Sequence, residues 1–127
     1  MAATGTVTIV EETFGSMNLI AFTWIGGTAE TTLTGGTTTN FYNGKLEYCV
    51  TVPAGSTEAP ADDYDVTVLD KNDVDLLADN GLDRATGTTE SILTASLGAV
   101  ANSQLELSVV NSGSSGTASG VVYIWIR

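Results

Sequence analysis

Residues 17–25 read MNLIAFTWI. Counted two at a time, they put Ile20, Phe22 and Trp24 on one side of an extended chain and Leu19, Ala21 and Ile25 on the other. The run is aromatic and aliphatic, as suits a pleated surface, and is far shorter than a membrane span needs. It therefore reads as a strand that is apolar on both faces.

The same period recurs outward from it. TVTIVEETF (6–14) sets Val7 and Ile9 against Thr6 and Thr8, and KLEYCVTV (45–52) aligns Leu46, Tyr48, Val50 and Val52. YDVTVLD (64–70) aligns Tyr64, Val66 and Val68, and SQLELSVVN (103–111) aligns Leu105, Leu107 and Val109. GVVYIWIR (120–127) places Val122, Ile124 and Ile126 on one face and Val121, Tyr123 and Trp125 on the other. Gly, Asn and Asp clusters separate these runs, as turns require. The expectation is an all-β chain: a single antiparallel β-sandwich or jelly-roll-like domain over residues 1–127. A chain of this length buries roughly two thirds of its unfolded surface, so it needs no metal or disulfide to fold.

Three segments depart from that pattern. Residues 1–10 read as an N-terminal arm, whose ATGTVTIV is suited to pairing on a neighbour's sheet edge. The Thr/Gly-rich stretch 26–44 reads as a long, mobile loop or weak edge strand. ESILTASLGAVANS (90–103) admits a helical turn or two, interrupted by Thr, Ser and Gly.

Composition removes several functions. There is no histidine and one cysteine, Cys49, so neither an imidazole-based triad nor a Cys/His zinc site can be built. Cys49 reads as a small residue on a strand. A net charge of −11 opposes nucleic acid and anionic membranes. MAATGTVTIVEE has no basic stretch followed by an apolar one, so no signal peptide is expected.

The carboxylates concentrate between Glu58 and Glu90, with six aspartates in YDVTVLDKNDVDLLADNGLDRAT (64–86). An EF-hand register begun at Asp70 puts Val74, Asp75 and Gly81 where an oxygen ligand, glycine and glutamate belong, so it fails. A looser calcium site from Asp70, Asn72, Asp73 and Asp75 stays open. So does a carboxylate pair for glycoside hydrolysis, although few aromatics lie nearby to hold a sugar. The reading we favour is a β-hairpin turning at Asp70–Asp73, then a loop pinned by Arg84 to Asp79 or Asp83. On it, no residue is catalytic and no cofactor or metal is bound.

Two apolar faces on one strand call for a second covering. Either loops cover the outer face or a partner does, and aromatic residues are favoured anchors at protein interfaces. The candidate contact residues are Val7, Ile9, Trp24, Phe41, Tyr42, Tyr123 and Trp125.

The 64–86 stretch resembles a pattern in small virion proteins of tailed bacteriophages, carried by Tyr64, Asp65, Val66, Thr67, Asp70, Asp75, Leu77, Gly81 and Arg84. LELSVVNSGSSGTASGVVYIWIR is similar to the ending of the same proteins at Asn111, Gly113, Gly120, Ile126 and Arg127. Val74 stands where those proteins carry a turn glycine, and residues 1–44 lie outside the resemblance. The family implied is the capsid decoration, or cement, proteins. Its members are β-sandwiches made in the bacterial cytoplasm that sit on the outer capsid surface of the virion. They bind the phage major capsid protein and bridge its subunits. The resemblance also implies a homo-oligomer, a dimer or trimer, with no nucleic acid or membrane partner. The alternatives are a carbohydrate- or receptor-binding sandwich of a tail or fibre, or another head or tail structural protein.

Overall fold

The computed structural model describes residues 5–26, 35–55, 58–110 and 118–127. Within these residues eight strands follow in chain order: β1 (Thr6–Phe14), β2 (Met17–Ile25), β3 (Tyr42–Pro53), β4 (Asp65–Leu69), β5 (Glu90–Leu93), β6 (Ala99–Ser103), β7 (Glu106–Val110) and β8 (Ser119–Ile126). A 3₁₀ turn at Thr94–Ser96 lies between β5 and β6. All the ladders are antiparallel. The chain is an all-β sandwich with unequal layers.

The large layer runs β1-β2-β8-β3-β5, with β6 beside β5 on the same edge of β3. The small layer is the pair β4-β7. Coil extends both of its edges. Leu76 and Arg84 donate backbone N–H bonds to Val68 and Tyr64 along β4, while Thr38 donates to Leu105 beside β7 and Leu107 to Gly36.

The core fills the space between the layers. Ile20, Phe22 and Trp24 from β2, with Val122, Ile124 and Ile126 from β8, meet Val66 and Val68 from β4 and Leu107 and Val109 from β7. Trp24 packs on Tyr64 with ring centroids 5.7 Å apart. Gly120 faces Trp24 across the β2–β8 ladder, and a Cβ there would lie 2.9 Å from the indole, so glycine makes room for the ring.

Several expectations are corrected. Residues 6–10 form no free arm, since β1 pairs with β2 in continuous register from Thr6↔Ile25 to Phe14↔Met17; residues 1–4 lie outside the described residues. Within the Thr/Gly-rich stretch, Tyr42–Gly44 belong to β3 and Thr37 makes one isolated bridge to Glu106, while 27–34, with their expected mobility, lie outside the described residues. The segment ESILTASLGAVANS forms β5, the 3₁₀ turn and β6, because Ile92 and Val100 bury inward while both strands pair with β3.

The most consequential correction concerns β3. Leu46 pairs with Ile126 but Tyr48 with Trp125, so Glu47 is an extra residue, a β-bulge. Because side chains alternate with period two, one extra residue flips all that follow. Leu46, Cys49 and Thr51 are buried, and Tyr48, Val50 and Val52 turn to the other face instead of aligning with Leu46.

Candidate functional site

The outer face of the large sheet is assembled by register. One row across the strands reads Glu12, Leu19, Trp125, Tyr48, Leu93, and the next reads Val10, Ala21, Tyr123, Val50, Ser91. A third reads Thr8, Thr23, Val121, Val52. Trp125 sits at the middle of the first row, its ring centroid 5.5 Å from Tyr48 and 5.9 Å from Tyr123. Leu93 is 65% exposed and Val10 51%, while the aromatic trio is half-buried by its own neighbours. No described strand or loop forms a third layer over this face. A face this apolar, with aromatics at its centre, has the composition of an interface core.

A second surface lies at the end of the sandwich where β1 turns into β2. Phe41 is 59% exposed and stands between two clefts. One, of about 360 Å³, is lined by Thr13, Asn18, Asn40, Tyr42 and Asn43. The other, of about 220 Å³, is lined by residues including Asp70, Lys71, Asp73 and Glu106. Glu11 holds this end together. Its carboxylate accepts N–H bonds from Thr39 (2.9 Å) and Asn40 (3.1 Å) and the Tyr42 hydroxyl proton at 2.8 Å. Burial, and then the bond to Glu11, push the Tyr42 phenol up to about 12.

The contact residues chosen from sequence thus separate. Tyr123 and Trp125 lie on the outer face and Phe41 on the exposed end. Trp24, Val7 and Tyr42 are core residues, and Ile9 packs partly buried against that core, so these four offer a partner little or nothing. Trp24 and Val7 face inward because they pair with one another and the inner side of β2 is the side that meets Tyr64. Sequence reasoning missed Tyr48, Val50 and Leu93, the first two for want of the bulge.

The acidic segment is explained by backbone geometry. Five of its carboxylates accept main-chain N–H groups: Asp62 from Thr86, Asp65 from Asp83, Asp70 from Asn72 and Val74, Asp75 from Val68, Leu77 and Asp79, and Glu90 from Ala85. Four more aspartates, 63, 73, 79 and 83, occupy left-handed backbone with φ between 54° and 65°, where Asp is tolerated better than most residues. The chain does turn at Asp70–Asp73, but the return makes a single bridge, Leu69↔Asp75, and no strand follows. Asp75 is the reason: its carboxylate takes the N–H groups of Leu77 and Asp79 and curls residues 76–79 into a turn. Arg84 pairs with neither Asp79 nor Asp83; its Nε lies 3.8 Å from Glu90. Among the described residues no group of three potential ligands is placed to hold a metal. Burial raises the Cys49 thiol to about 12, leaving it protonated and inert at neutral pH.

Comparison with protein-family models, with curated proteins and with solved structures finds no match.

Proposed function

We propose that this chain is a non-catalytic structural protein of a bacteriophage head: a decoration protein on the outer capsid surface that bridges major capsid subunits. The observation that carries the reading is the outer face of the large sheet, where apolar rows centred on Trp125 lack a described covering layer. A bridging protein needs a second contact surface, and the Phe41 end supplies one on a different side of the molecule. The acids serve as backbone acceptors and left-handed turn residues, which leaves the acidic segment a structural role. The phage assignment itself rests on the resemblance of residues 64–86 and 105–127. Stabilisation works by mass action: a protein that binds the closed shell and not the opened one raises the free energy of opening.

Carbohydrate binding by the aromatic trio is the weaker reading. The rings are inclined by 51° and 33° to their neighbours, so they form no flat platform. The residues around them, Leu19, Val50, Val52 and Val121, have no side-chain donors for sugar hydroxyls.

The test is reconstitution. Shells stripped of the protein release DNA at a lower temperature than complete ones, and adding the purified chain restores the difference. Equal release temperatures, or no rebinding, refute the role.

A further inference from the structure

The outer face acquires a specific occupant once its position relative to the charge is considered; this step rests on the reading that the chain works by burying surface, and it leaves the exposed Phe41 end of each copy to meet the shell, so that the pair does the bridging. Ten of the fifteen carboxylates lie between Glu58 and Glu90, in β4, the leading residue of β5 and the coil that borders them. Those around β4 belong to the small layer, on the far side of the core from the outer face. The middle rows of the face carry no charge. Glu12, Glu47 and Arg127 stand at the end where Asn18 meets Ile126.

We propose that this face packs against the same face of a second copy, giving a four-layer dimer with the two large sheets at its centre. Two chains of net charge −11 repel in most orientations. Face to face, their acidic small layers become the outermost ones, three sheet spacings of ~10 Å apart, well beyond the ~8 Å screening length of physiological salt. The arrangement that buries the apolar face also keeps the carboxylates around β4 far apart, with Glu12 and Glu47 left at its rim.

The size is sufficient. Five strands at ~4.8 Å spacing and three same-face rows at ~6.7 Å give about 500 Å² of projected sheet per copy. Side-chain relief adds to this, so the total buried reaches roughly 1,000–1,500 Å², the size of a specific interface. An isologous contact requires a patch that fits itself. Here the large Trp125, Tyr123 and Tyr48 alternate with the small Ala21, Val50 and Val121, so ridges of one copy have shallow places to enter on the other. The indole N–H and the phenol hydroxyls give the contact its polar handles.

Sedimentation velocity on the purified full chain tests this, using Leu93→Lys and Val10→Lys, both at exposed positions that folding tolerates, and Phe41→Lys as control. The expected result is a dimer whose dissociation constant rises ~100-fold or more with either face lysine and is unchanged by the control. Fluorescence gives a second readout, since Trp24 is interior in either state and Trp125 is not. A blue shift on raising concentration should vanish in Trp125→Phe. A monomer at about 1 mM overturns the inference, whatever the Trp125 emission. A monomer whose shell binding is abolished by Leu93→Lys also overturns it, while leaving the surface-burial reading intact.

Discussion

Replacing Asp75 by alanine separates a structural acid from a catalytic or metal-binding one. The carboxylate accepts N–H bonds from Val68 at 3.2 Å, Leu77 at 3.0 Å and Asp79 at 2.9 Å. The first two are part-buried and lose their acceptor in Asp75→Ala, whereas the exposed Asp79 N–H can turn to water. At ~1–2 kcal/mol for each orphaned donor, the cost is about 2–4 kcal/mol. A domain of this length loses about 4 °C of melting temperature per kcal/mol, so the midpoint should fall by roughly 8–16 °C. Asp75→Asn retains one carbonyl acceptor and should lose about a third as much. Asp73→Asn is the control: residue 73 is exposed at φ 61°, a conformation that Asn also adopts, and the change should stay within ~0.5 kcal/mol. Thermal and urea unfolding followed by circular dichroism provide the measurement. An Asp75→Ala midpoint within about 2 °C of the parent refutes the assignment. So does a rise in the parent's midpoint on adding calcium, which would put a cation where we place backbone N–H groups.

Gly81→Ala should unfold the acidic loop or the whole domain, because the added Cβ would sit 2.2 Å from the Val66 carbonyl oxygen; a midpoint within ~1 kcal/mol of the parent contradicts that packing. Alkaline pH should destabilise the protein in a defined window. Burial raises the folded thiol of Cys49 from about 9 to about 12, so the unfolded chain loses its proton first. The resulting stability is intact below pH 9 and declines as pH rises toward 12, and Cys49→Ala should flatten that slope in denaturant titrations. For the same reason a thiol reagent at pH 8 should label Cys49 only in denaturant.

Much of the sandwich is legible in the sequence because local rules and tertiary packing agree there. The alternation in 6–14 and 17–25 coincides with β1 and β2, and the two apolar faces of 119–126 are visible in GVVYIWIR before any pairing is known. What sequence could not supply is where the period slips. Nothing in LEYC marks Glu47 as an extra residue; the bulge is set by the register of β3 against β8, a long-range pairing. Without it, Tyr48, Val50 and Val52 are assigned to the core side, and the apolar outer face loses one of its five strands. Trp24 and Trp125 show the same limit. Both are tryptophans on central strands, and only the layer that covers each face tells the buried one from its surface counterpart. The β5–β6 segment failed differently, because Thr, Ser and Gly leave its local preference weak and pairing along β3 decides it.

The place of β8 has a bearing on how the molecule is made. It lies between β2 and β3 in the large sheet yet comes after both in chain order, so the β1–β2 hairpin emerges with one flank bare. Roughly 90 residues must still be synthesised before that flank is filled, several seconds or more at typical ribosomal speeds. During that wait Phe22 and Trp24 have β1 on one side and no strand on the other. If the chain has the proposed role and is made in many copies at once, it must survive this interval without sticking to its neighbours, and growth temperature or helper chaperones should therefore govern its yield more strongly than the stability of the finished fold.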